Sequence, residues 1–124
     1  MFRTLNDILS SDKGLGKVMG DILRVLYLCL GSLWLPELIM ELRGFRETLG
    51  EEAPNVEEVS RALDELHKMG FIERRRGIRA TFDREGEETF LISIKRSPEI
   101  LSALLRDRRV VRYREIWRQV FGQE

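Results

Sequence analysis

Apolar residues along the chain fall first into helical and then into strand periods, and the switches between them set the order of elements. Leu5, Ile8 and Leu9 make one side of a short helix at residues 4–9, and 10–16 is a polar, glycine-bearing link. Val18, Ile22, Val25, Leu26 and Cys29 recur at helical spacing, which predicts a helix from Gly16 or Lys17 to about Leu30. Its continuous apolar end, VLYLCL, predicts enclosure on most sides. Leu33, Trp34 and Leu35 before Pro36 predict a short strand leading into a helix from Pro36 to about Arg43 or beyond, buried through Leu38, Ile39 and Leu42. Residues 44–54 carry Gly44, Gly50 and Pro54 and read as an elongated acidic connection, with room for one more helical turn through Phe45 and Leu49.

Asn55 with Glu58 three residues later is a capping box. Val56, Val59, Leu63 and Leu66 form the stripe of the helix that follows, flanked by Ala62 and Met69, and Gly70 ends it. Ile78, Ala80 and Phe82 alternate, then Phe90, Ile92 and Ile94 alternate again across a turn containing Asp83 and Gly86, the pattern of a β-hairpin. Ser97, Pro98 and Glu99 start a further helical segment. One stripe there is Ile100, Leu101, Leu104 and Leu105; another is Val110, Val111, Tyr113, Ile116, Trp117, Val120 and Phe121. The segment is one long helix or two bent near residues 107–109.

The chain of 124 residues suits one domain, divided into an N-terminal arm (1–16), a central unit (17–96) and a C-terminal helical segment (97–124). A composition 43% hydrophobic and 34% charged is that of a soluble globular protein. The longest apolar run, 25–35, is interrupted by Gly31 and Ser32 and is too short for a bilayer. The start, MFRTLNDILSSDKG, lacks a secretory pattern. No membrane association is expected, and the expected location is cytoplasmic. Cys29 reads as a small core residue. Seventeen of the 21 basic residues are Arg, Glu (15) outnumbers Asp (6), and Asn and Gln total four, a thermophile-like composition.

A net charge of zero hides an asymmetry. Residues 37–65 hold nine acids against three arginines, a net of −6. Residues 71–84 hold five arginines against two acids, a net of +3. Residues 96–118 hold seven arginines against three acids, a net of +4. A neutral protein arranged this way presents basic faces to a polyanion.

Helix, strand, helix, capped helix and hairpin, in that order, resemble the winged helix-turn-helix superfamily, and most of all its MarR-like and PadR-like transcriptional regulators. Leu66, Gly70, Phe71 and Ile72 match the Leu-x-x-x-Gly-apolar-Ile end of the recognition helix, and Glu73 and Arg74 lead into the wing. The resemblance covers residues 17–121 in pattern. It implies a mainly α fold with a small antiparallel β-hairpin wing (α+β) and an added C-terminal helix for dimerisation. The implied function is binding of double-stranded DNA as a homodimer, through recognition helix and basic wing, in transcription regulation. Two departures accompany it. The connection before the recognition helix is long, and that helix is acidic at Glu57, Glu58, Asp64 and Glu65.

The expected DNA-contacting residues are Asn55, Ser60, Arg61 and Lys68 on the helix and Arg74, Arg75, Arg76, Arg79 and Arg84 on the wing. Guanidinium groups fork onto phosphates or enter a narrow minor groove. The same wing arginines also fit a solvated strand face neutralised by Glu85, Glu87 and Glu88. The expected dimer interface is Leu101, Leu104, Leu105, Tyr113, Ile116, Trp117, Val120 and Phe121. Arg106, Arg108, Arg109, Arg112, Arg114 and Arg118 either line DNA or form the solvent face of that dimer helix, paired at helical spacing with Asp107 and Glu115. The solvent face of the dimer helix is the expected role. His67 reads as a surface histidine, and no nucleophile–base pair or metal-ligand spacing is present. The chain is therefore expected to be no enzyme, with no metal and no cofactor. The acidic helix face gives an alternative, a winged-helix protein-interaction module within a larger transcription, replication or membrane-remodelling assembly.

Overall fold

The computed structural model describes residues 4–80 and 86–122. Among them the chain is mixed α+β, with six helices and three strands. α1 (Leu5–Leu9) opens on a Thr4–Asp7 capping box and buries Ile8. α2 (Gly14–Leu28) is the central helix and packs against α1, α3, α4, α5, α6 and the sheet. It begins two residues earlier than Gly16, and its buried positions include Met19, Ile22, Leu23 and Leu26 together with Asp21 and Arg24. Cys29 is half-buried at its C-terminal cap, where burial, then the nearby Glu41, push the thiol pKa up. Leu30 and Gly31 then turn the chain with positive φ (70° and 104°).

β1 (Ser32–Trp34) follows, and α3 (Leu35–Thr48) starts directly after it with Pro36 in its first turn. The expected connection over 44–54 is corrected here. α3 runs through Gly44, because Phe45 and Arg46 are buried beyond it (1% and 7% exposed). Their burial outweighs the roughly 1 kcal/mol by which glycine disfavours a helix interior. The linking coil is thus short, and Asn55 closes it as the cap of α4 (Val56–Lys68). α4 buries Val59, Ala62, Leu63 and Leu66, whereas Val56 lies off the stripe and is 66% exposed. Gly70, at φ 80°, ends the helix, with Phe71 N–H donating to the Leu66 carbonyl and Gly70 N–H to that of His67, both at 3.0 Å. That pairing is a Schellman cap.

β2 (Ile72–Arg79) and β3 (Glu87–Ile94) pair antiparallel, from Ile72 opposite Ile94 to Arg79 opposite Glu87. β1 pairs with the other edge of β3, giving the strand order β1-β3-β2. Ile72, Ile92 and Ile94 face the core, but the alternation does not stay buried along the hairpin: Ile78 is 70% and Phe90 40% exposed. Phe82, expected to continue it, lies outside the described residues.

The C-terminal segment is two helices, α5 (Pro98–Leu105), capped by Ser97, and α6 (Arg108–Phe121), capped by Asp107. Among the described residues no helix is long and apolar enough to cross a membrane.

Candidate nucleic-acid interface

α4 turns Asn55, Ser60, Arg61 and Lys68 to solvent. Asn55 is committed to the cap: its Oδ1 accepts from the Glu58 amide at 2.8 Å, and Glu58 Oε1 accepts from the Asn55 amide at 2.9 Å. Lys68 lies 3.6 Å from Glu65. Arg61 has no partner among the described residues.

The register of the hairpin decides where its arginines point. Side chains alternate along a strand, and Ile72 faces the core, so Arg74 and Arg76 share that face while Arg75 and Arg79 lie on the other. Arg74 donates to Asp64 of α4 at 2.8 Å. Arg76 donates to Glu88 at 3.2 Å, its guanidinium 6.0 Å from the Phe90 ring centre. Arg79 donates to Glu37 of α3 at 2.5 Å and lies 3.7 Å from Glu87; the Glu37 carboxylate raises its pKa. On the same outer face Trp34 packs over Gly77, where a Cβ would come within 2.9 Å of the ring. Trp34 and Glu37 together brace the hairpin against the start of α3. Arg75 is exposed with no partner among the described residues. Arg84 lies outside the described residues.

The C-terminal arginines divide differently from the expectation. Asp107 is unavailable to the exposed arginines of its own helix. Its Oδ1 caps the Arg109 and Val110 amides at 3.0 Å, and both its oxygens accept from buried Arg24, at 2.8 and 3.0 Å. Arg109 turns inward and bridges Asp21 (2.8 and 2.9 Å) to Glu51 (2.7 and 2.8 Å). Asp21, fully buried, also accepts from Arg24 at 2.7 Å and Arg46 at 2.5 Å, and Lys17 reaches Glu51 at 3.1 Å. This network joins α2, α3, the coil before α4 and α6. The sequence reading missed it, although Asp21 and Arg24, two charges in an otherwise apolar helix, were its signal. Arg106, Arg108, Arg112 and Arg118 stay exposed with no partner among the described residues.

Glu51 supplies a pH dependence. The hydrogen bond from Arg109, opposed by partial burial and reinforced by Lys17, lowers its pKa from 4.5 to about 2. A carboxylate whose folded pKa is depressed adds stability above its unfolded value and loses it as pH falls through the folded one. The advantage of the wild type over Glu51→Gln in thermal unfolding should therefore hold near neutrality and fade between about pH 4.5 and 2. A difference that does not change with pH would remove Glu51 from this role.

The expected dimer residues are scattered by depth. Leu104 is fully buried in the chain's own core and has no surface to offer a partner, a correction to its assignment. Leu101, Tyr113 and Ile116 are half-buried. Leu105, Trp117, Val120 and Phe121 are 57%, 43%, 60% and 66% exposed. Among the described residues no group of three or more His, Cys, Asp or Glu is placed to hold a metal ion. Comparison with protein-family models, curated proteins and solved structures returns no match.

Proposed function

We propose that this chain is a DNA-binding regulator of winged-helix type, which grips duplex DNA as a homodimer. What carries the reading is the arrangement around α4. The element order α2-β1-α3-α4-β2-β3, with sheet order β1-β3-β2, leaves one face of a capped helix open beside a braced, arginine-bearing hairpin. In this reading Arg61 approaches the major groove, and Arg75 and Arg76 meet phosphate or the minor groove. The Arg76–Glu88 pair does not stand in the way. Both side chains are about two-thirds exposed (70% and 67%), and such pairs contribute only about 0.2–1 kcal/mol. A phosphate can replace Glu88 at little cost. Arg79, held between Glu37 and Glu87, acts as a brace and not as a contact.

Duplex affinity should fall steeply with salt, and Arg75→Ala with Arg76→Ala should flatten the slope by about 2, since each phosphate contact contributes roughly 0.9. Absence of binding to any duplex at low salt would end the reading.

A second reading, a protein-interaction module, has its own observation. Acids of the chain already occupy Arg74, Arg76 and Arg79, and an apolar hollow of about 210 Å³ opens between α3, α4 and the hairpin, lined by Leu63, Val56 and Phe90 among others. A stoichiometric protein partner that survives nuclease treatment would favour it.

A further inference from the structure

We propose that the start of α6 and the turn before it carry a second phosphate-binding surface, a row of Arg106 in the turn and Arg108 and Arg112 on α6 that holds the backbone of duplex DNA beyond the stretch gripped by α4 and the hairpin. It builds on the duplex-binding reading, but it uses residues outside that interface.

The row is the least neutralised basic surface among the described residues. Of the described hairpin arginines, Arg74, Arg76 and Arg79 have an acid partner and Arg75 has none, whereas all three of these have none among the described residues. The acids nearest in sequence and space are engaged or apart. Asp107 is held by Arg24 and the cap of α6, and Glu51 by Arg109 and Lys17. Glu115 makes no ion pair with any described residue.

Arg108 and Arg112 stand one turn apart, about 6 Å along the axis, on one side of α6. Like charges at that spacing repel, and neither arginine makes an ion pair with a described acid. Arg109, between them, points inward to Asp21 and fixes the rotation of the helix. The row therefore has a set direction. Trp117 projects from the opposite side of α6, roughly 180° from Arg108 at 100° per residue. A partner subunit seated on that apolar side leaves the row open.

A hollow of about 510 Å³ lies between the row and residues 48–51, giving phosphate oxygens access to Arg108 and Arg112. Gly50, which lines that hollow, and Asn55, the cap of α4, are five positions apart and so lie within about 18 Å of each other, a distance that a duplex of about 30 base pairs exceeds several-fold.

The test uses the full chain and a fluorescently labelled duplex of about 30 base pairs, titrated over a series of salt concentrations. The wild type is compared with Arg108→Ala/Arg112→Ala, the matching double Lys variant, and Arg75→Ala/Arg76→Ala. The proposal expects the α6 Ala variant to flatten the salt slope by about 2, equally on any sequence, with its unfolding temperature unchanged and the Lys variant restoring the slope. An unchanged slope overturns it. So does a lowered unfolding temperature with the slope intact, which would mean the pair only complements the C-terminal end of α3. If both slope and unfolding temperature fall, recovery of the slope alone in the Lys variant supports the proposal, and joint recovery or none overturns it. Failure of the wild type to bind any duplex ends both readings. A hairpin variant with the wild-type slope beside an α6 variant with a flattened slope ends only the hairpin assignment.

Discussion

Asp21→Ala is expected to remove about 3–5 kcal/mol of stability, the range for breaking a buried ion pair from one side. That is a large share of the roughly 5–15 kcal/mol that small domains have in total. The reason is the number of groups that rest on this carboxylate. Arg24, Arg46 and Arg109 all donate to it, and Arg24 and Arg46 are themselves buried (1% and 7% exposed). Without it three guanidinium groups face one another, with Glu51 and Asp107 left to balance them and Lys17. Asp21→Asn keeps the volume but turns an amide N–H₂ toward donors, so it should fail nearly as badly. Gly20 shows how closely the site is built, since a Cβ there would meet the Arg24 guanidinium at 2.8 Å. Urea unfolding of the three proteins, compared at equal slope, measures the loss. A loss under about 1 kcal/mol in Asp21→Ala would mean that water solvates these arginines and that the network is peripheral.

The features legible in the sequence are those in which local chemistry and tertiary packing agree. The Asn55–Glu58 box, the Gly70 stop, the Pro36 start and the Ser97 cap all act within a few residues, and each element stands where its signals put it. Gly44 was misleading because a local breaker lost to the burial of Phe45 and Arg46, which depends on residues far along the chain. Charge counting failed for a related reason. The hairpin's net positive charge is met partly by Asp64 and Glu37, which belong to the separate acidic stretch 37–65, on α4 and α3. The bridge from Arg109 to Asp21 spans 88 positions, beyond the reach of any spacing rule. Conversely, Arg108 and Arg112 stand without Asp107 as a partner because Arg24 and the cap of α6 engage it.

The C-terminal stripe gives the other large effect, because one sequence pattern divides into two physical roles. Leu104→Ala should destabilise the single chain by about 2–5 kcal/mol, the cost of a large-to-small change in a packed core, because Leu104 is fully buried. Trp117→Ala with Phe121→Ala should act on association instead. The first turns of α6 rest on the body through Val110 and through Tyr113, stacked 5.1 Å from Phe45. The last turns carry Trp117 and Phe121, with ring centres 4.3 Å apart, out to 43% and 66% exposure. Removing them forfeits aromatic contacts worth about 0.5–1.5 kcal/mol per pair within the chain. Buried in a two-fold interface they would be the aromatic anchors that dominate binding, at about 2 kcal/mol or more each. The expected result is a dimer mass for the wild type and for folded Leu104→Ala, and a monomer mass for the double variant with most of its urea stability retained. A wild type that sediments as a monomer at high concentration would remove the homodimer from the proposal. It would not touch the contacts argued for α4 and the hairpin, because those belong to a single chain.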